Sequence, residues 1–377
     1  MTIKISTQFD AGSIELVSAK APHSIELKLR RDSHADFMQW FYFRLQGGKN
    51  QRCSIRVTNA GDATYPDGWA GYQAVASYDR QRWFRVPTAF DGEVLTISHG
   101  PQHDSVFYAY FEPYAWERHL DLLAKVQLDQ RVNIVDLGNT VDGRDLNLVV
   151  VGNPDVSKKV WVIARQHPGE TMAEWFAEGL LNALLDRDNP VAIALRERAV
   201  FYIVPNMNPD GSIRGNLRTN AAGANLNREW MSPSLARCPE VFHVRNKMHE
   251  TGCDLFLDIH GDEALPYVFV AGSEMLEDFT AKQSEEQQAF IDRFKRGSED
   301  FQTEFGYPSG KYGVDLLKLA SKYVGHTFKC VSLTLEMPFK DNAHSPDPKV
   351  GWNGARSAAL GRAILPAILD NVRKGAR

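Results

Sequence analysis

Short alternating and aromatic-rich runs, broken by Gly, Asp, Asn and Pro, fill the first part of the chain. Ser24 to Leu29 and Cys53 to Val57 alternate apolar with polar positions, and Trp40 to Leu45 is aromatic-rich. Val94 to Ser98 and Val106 to Phe111 follow the same style. A period of two between turn residues predicts strands, and short strands at this spacing predict an all-β sandwich. After Glu112-Pro113 the period changes. Leu120, Leu123 and Ala124 suit a helix, and strand-like runs then alternate with helical patterns to the end. That alternation predicts an α/β sheet. The expected organisation is a β-sandwich domain over 1–112 and an α/β domain over 113–377.

Within the second part, Lys159 to Ala164 reads as a buried strand. Met172 to Leu185 reads as a helix, with Ala173, Phe176, Ala177, Leu180, Leu181 and Leu184 at helical spacing. His167-Pro168-Gly169-Glu170 lies between them, where open α/β sheets bind ligands. An imidazole and a carboxylate three residues apart can reach one metal ion. A second apolar run, Asp254 to Ile259, leads directly into His260. His167, Glu170 and His260 together make a His2Glu set, which holds a catalytic zinc and leaves a position for water.

Between these ligand candidates lie Asn206-Met207-Asn208-Pro209-Asp210-Gly211, Gly215-Asn216-Leu217-Arg218 and Gly223 to Trp230. The first piece follows the strand Val200 to Val204 and is a turn. The rest is loop with little periodicity, and a long irregular loop in a compact domain is often functional. Two Arg and an Asn in this loop suit a carboxylate, because the guanidinium fork matches its geometry. Late in the chain, Val331 to Leu335 reads as a strand that delivers Glu336. A carboxylate at the end of an apolar run is usually paired or functional.

Composition narrows the classes. The chain has 377 residues, 43% hydrophobic and 24% charged, as soluble globular proteins do. A net charge of −4 offers no electrostatic case for nucleic acid. No run approaches the ~20 apolar residues of a membrane-spanning helix. Cys53, Cys238, Cys253 and Cys330 are scattered without metal-site spacing. They read as reduced thiols, and with no signal peptide evident the expected compartment is the cytoplasm. Glu274 to Phe305 is charged and helical in pattern, a surface helix. Lys318 and Lys322 lie opposite Leu316, Leu319, Ala320 and Tyr323 on a predicted helix, so a solvated face is expected for both.

The ordered motifs from His167 through Arg218, Asn227-Arg228 and His260 to Glu336 resemble the zinc metallocarboxypeptidases. The branch they most resemble is that of the cytosolic carboxypeptidases, which remove C-terminal residues and notably glutamates. Gln39 to Phe43 and Phe107 to Tyr114 are similar to the β domain that precedes the catalytic domain there. The resemblance implies a mixed central sheet and one zinc ion per chain. It makes His167, Glu170 and His260 the ligands and Glu336 the general base. Arg218 would polarise the scissile carbonyl, and Asn227 and Arg228 would hold the terminal carboxylate of a peptide or protein. The chain departs from the digestive enzymes at Asn225, where they carry an aspartate that orients the first zinc histidine. Tyr312 and Tyr323 are both candidates for those enzymes' mobile tyrosine, and neither is assigned. Two alternatives stay open: a related zinc amidohydrolase or deacylase, and a catalytically silent binding module.

Overall fold

A computed structural model describes residues 2–153, 155–308 and 315–374. Two five-stranded sheets occupy the N-terminal part. One is built around the strands Tyr42–Gln46 and Ser105–Ala109, paired antiparallel; the other around Ser24–Lys28, Cys53–Val57 and Leu95–His99. Cys53–Val57 shows why the alternation was legible: Cys53, Ile55 and Val57 point into the core while Ser54 and Arg56 do not. Both sheets feed one apolar cluster that includes Ile25, Leu27, Phe43, Ile55, Leu95 and Tyr108. All the strands of these sheets end by Ala109, and the first strand of the next sheet begins at Val132.

The second part carries a seven-stranded mixed sheet. Its four central strands are Ala199–Val204, Lys158–Ala164, Leu255–Asp262 and Val331–Pro338, in that order and parallel. Asp145–Val151 and Val132–Asn139 extend one edge antiparallel, and Phe269–Ala271 closes the other. The chain is thus an N-terminal β-rich domain followed by an α/β domain with a mixed sheet, as the pattern indicated. The central strands read as unbroken apolar runs because helices cover both faces. Met172–Leu185, Gly354–Ala363 and Leu365–Lys374 pack on one side, and Pro239–Thr251 and Ala320–Phe328 on the other.

The two parts meet over a mixed apolar and polar contact. Tyr110 stacks on Phe339 at 4.6 Å, and Phe111 meets the same ring edge-on at 5.9 Å. Glu112 accepts from Thr171 Oγ1 through its carbonyl (2.7 Å) and from the Gly354 amide through its carboxylate (2.9 Å). Lys340 Nζ donates to the Ala70 carbonyl.

Two expectations need correction. The helical pattern of 274–305 condenses to Ala281–Lys295, and Gln283, Gln287, Phe290 and Phe294 are buried on its inner face. Lys318 and Lys322 do not share one solvated helix face. Leu319 adopts extended backbone (φ −85°, ψ 138°), so Leu316–Lys318 and Ala320–Phe328 are separate turns with different phase. Lys318 stays half-exposed beside Asp315, whereas Lys322 is only 3% exposed.

Candidate active site and metal centre

The strand Lys158–Ala164 hands over to the ligand loop through Arg165, which takes a left-handed conformation (φ 59°). Its buried guanidinium donates to the Pro168 and Tyr114 carbonyls (2.9 and 3.0 Å) and to Glu174 Oε2 (2.6 Å). Glu174 also accepts from Asn206 Nδ2 and faces His119 Nδ1 at 2.6 Å. A buried ion pair with its remaining hydrogen bonds made is costly to break, ~3–5 kcal/mol. This network fixes the loop that carries His167 and Glu170.

His260 comes from the last residues of Leu255–Asp262, a strand longer than its apolar run indicated. The parallel register pairs His260 with Glu336 on Val331–Pro338. Glu170 lies between the imidazoles: Oε1 is 2.6 Å from His167 Nδ1 and Oε2 is 2.7 Å from His260 Nδ1. The outer nitrogens are taken. His167 Nε2 donates to Asn225 Oδ1 (3.0 Å), and His260 Nε2 meets Asp258 Oδ1 (2.9 Å). These partners leave the Nδ1 lone pair of His167 facing inward, and that of His260 too once its ring gives up a proton. Candidate ligand atoms of His167, Glu170 and His260 all lie within 4.8 Å of one another and all three residues are buried. With both rings neutral, the buried lone pairs of two imidazoles and a carboxylate turn toward one point and repel unless a cation lies among them. The donor set therefore fits zinc, in type and number.

The charges agree. Burial, helped by the Arg218 charge, pulls His167 down to about 3 against the opposing Glu170, so its ring is neutral and free to ligate. Burial also pushes His260 down, but Asp258 and Glu170 outweigh it and hold that ring well above its ordinary value. A metal bound there would displace a proton. Glu336 is buried; Oε1 accepts from the Tyr307 hydroxyl (2.8 Å), and Oε2 has no hydrogen-bond partner among the described residues. Burial, with Glu170 and Asp262 adding negative charge, raises its carboxyl far above the ordinary range. A dication held by the His2Glu cluster is the opposite charge that would bring it down.

All seven candidate residues, His167, Glu170, Arg218, Asn227, Arg228, His260 and Glu336, line one cleft of about 320 Å³. Arg218 is half-buried, its guanidinium 5.4 Å from the Tyr65 ring and 5.8 Å from Phe37. Asn227 is buried and lines the cleft: Oδ1 accepts from the Ala320 amide (2.9 Å), and Nδ2 lies 3.4 Å from His260 Nε2. Arg228 is exposed on the rim, with one nitrogen donating to the Asn227 carbonyl (2.6 Å).

Other residues at the cleft were not read from the sequence. Asp258 sits two residues before His260, on the same face of the strand, and a charged residue inside an apolar run was its signal. Tyr307 bridges Asp262 Oδ2 and Glu336 Oε1, 2.8 Å from each. Lys322, Tyr65 and Glu263 also line the cleft. Tyr323, one of two tyrosines considered for the site, instead bonds His249 Nε2 (2.8 Å) and packs near Trp230. Tyr312, the other, lies outside the described residues.

A parallel-centred α/β sheet with a buried His2Glu cluster at its strand ends defines a metallohydrolase architecture. Residues 5–111 match the cytosolic carboxypeptidase N-terminal domain, and residues 117–349 match zinc carboxypeptidase. The chain belongs to the zinc carboxypeptidase family. A metallo-carboxypeptidase from Burkholderia cenocepacia is 58% identical, with a TM-score of 0.97 and all of both chains covered. A metallo-carboxypeptidase from Pseudomonas aeruginosa, solved with (2-guanidinoethylmercapto)succinic acid, is 44% identical with a TM-score of 0.95, over 98% of this chain and 100% of that one. Human cytosolic carboxypeptidase 6 is 28% identical across 97% of this chain and 78% of its own length. The chain is a metallocarboxypeptidase, a hydrolase acting on peptides.

Proposed function

We propose that the chain releases the C-terminal residue of peptides or proteins, with one zinc ion held by His167, Glu170 and His260, and prefers an acidic last residue. When bound, zinc lowers the pKa of a water and polarises the scissile carbonyl. Glu336 takes the attacking water's proton at Oε2, the oxygen not held by Tyr307, and delivers it to the leaving nitrogen. Arg218, fixed beside Tyr65 and Phe37, holds positive charge where the oxyanion develops. Asn227 Nδ2 and the Arg228 guanidinium take the terminal carboxylate by charge-assisted bonds. The observation that carries the reading is the adjacency of His260 and Glu336 across one strand pair, with Arg218, Asn227 and Arg228 on the walls of the same cleft. In this reading residues 1–112 form the β domain and 113–377 the catalytic unit. The compartment is the cytoplasm, supported by four free, buried cysteines.

Lys322 supports the acidic preference. It is buried and lines the same cleft as Asn227 and Arg228. An ammonium there favours a carboxylate over an apolar group. Burial pulls Lys322 down to about 8 against the charge of Glu274. The ammonium is therefore present below about pH 8 and is lost above it. The kcat/KM ratio for glutamate-terminated over leucine-terminated peptides should be large near neutrality and fall as pH rises past 8. Lys322→Met should lower that ratio by about 10- to 100-fold, the ~1.5–3 kcal/mol of a charged hydrogen bond, and flatten its pH dependence. Amino-acid release from peptides differing only in the last residue measures both. A ratio unchanged by Lys322→Met removes the acidic preference from the proposal and leaves the carboxypeptidase reading in place.

A further inference from the structure

We infer that Asp32, supplied by the N-terminal β domain, is the positioning residue for Arg218. The inference rests on the oxyanion role proposed for Arg218. Asp32 is 6% exposed and its carboxylate is filled by one short stretch of the catalytic domain. Oδ1 accepts from the Leu217 amide (2.6 Å). Oδ2 accepts from the amides of Arg218 (2.7 Å) and Thr219 (2.9 Å) and from Thr219 Oγ1 (3.1 Å). Burial raises the Asp32 carboxyl, and the four donors on its two oxygens oppose that and favour the ionised, acceptor-only form. Three consecutive amides held by one anion fix the backbone orientation of Arg218.

The rest of the loop is clamped to the same domain. Ser33 N and Oγ both bond Asn216 Oδ1, and Ala11 N donates to the Ile213 carbonyl. The loop enters and leaves by glycines in left-handed backbone, Gly215 (φ 68°) and Gly223 (φ 75°). A Cβ at Gly215 would lie 2.6 Å from the Ala11 carbonyl oxygen, and one at Gly223 would lie 2.4 Å from that of His34. Both glycines thus serve close approach to the β domain as well as the turn. Phe37 and Tyr65, which flank the guanidinium, come from that domain too. The β domain is accordingly part of the catalytic site: it holds the backbone of Arg218 through Asp32 and its side chain through two rings.

The test is a double-mutant cycle in the zinc-loaded protein. Asp32→Ala should lower kcat about tenfold or more, short of the ~10²–10³ loss on removing an oxyanion donor itself. KM should change little, because Arg228 and Asn227 are untouched. In the Arg218→Ala background the same substitution should have almost no further effect, since groups that act as a unit are not additive. Amide hydrogen exchange at residues 217–219 should speed up in Asp32→Ala. Asp32→Asn, which keeps the shape and one acceptor but turns an NH2 toward two amides, should lose an intermediate amount and serves if the alanine variant does not fold. Losses that multiply across the two backgrounds, or an unchanged kcat in Asp32→Ala, overturn the inference. Arg218→Ala with unchanged kcat overturns the Arg218 role itself. That failure differs from one of Asp32 alone, in which Arg218→Ala is slow and Asp32→Ala is not.

Discussion

Glu336→Gln is expected to lower turnover by ~10²–10⁴-fold, the usual contribution of a general acid–base group, with fold and zinc content retained. The amide matches the carboxylate in shape and can still accept from Tyr307 at one oxygen. It cannot take a proton from water. Stability separates loss of chemistry from loss of structure. Burial raises the Glu336 carboxyl in the fold, so the folded state binds its proton more tightly than the unfolded chain does. Without metal, wild-type stability from this group is therefore lost as pH rises above the unfolded carboxyl's ~4.3. Glutamine has no such titration. The chelated variant should melt at or above the wild type at neutral pH, with the gap widening as pH rises. Wild-type turnover in Glu336→Gln would make the residue structural.

His260→Ala is expected to abolish stoichiometric zinc and all measurable turnover, and to destabilise the apo protein. Two losses combine. A site of three protein ligands is left with two. The carboxylates of Asp258 and Glu170, each facing this ring within 2.9 Å, are left buried without it. Removing one partner from such a pair costs ~3–5 kcal/mol. Elemental analysis after purification without chelator reads the metal, and thermal melting reads the stability. Zinc persisting at one per chain in the variant would sink the ligand assignment.

What could be read in advance divides along a physical line. The strand before His167, the helix after Glu170 and the apolar runs before His260 and Glu336 were legible because local periodicity specifies them. Their relation was not. The pairing of His260 with Glu336 is a register between strands far apart in sequence. Lys322 was placed on the wrong face because a single extended residue, Leu319, resets the helical phase, and no Gly or Pro marks the break. Asp258 could have been found, as a charge in a strand core at a period of two from His260. Asp32 could not. Its contacts with Leu217, Arg218 and Thr219 span more than 180 residues and join two domains, and nothing local distinguishes it from a solvated surface aspartate.

Release of the last residue from matched peptides with free and amidated C-termini tests the central claim most directly. Asn227 and Arg228 present an amide and a guanidinium to the end of the substrate. A free carboxylate completes charge-assisted bonds there, whereas an amidated end supplies no charge, a difference of ~1.5–3 kcal/mol for a hydrogen bond to a charged group. The account predicts rapid release from the free peptide and a rate lower by about 10- to 100-fold for its amide. In the same assay Arg228→Ala should mainly raise KM, and Arg218→Ala should mainly lower kcat. Equal rates on the free and amidated peptides would contradict the account and mark the protein as an amidohydrolase.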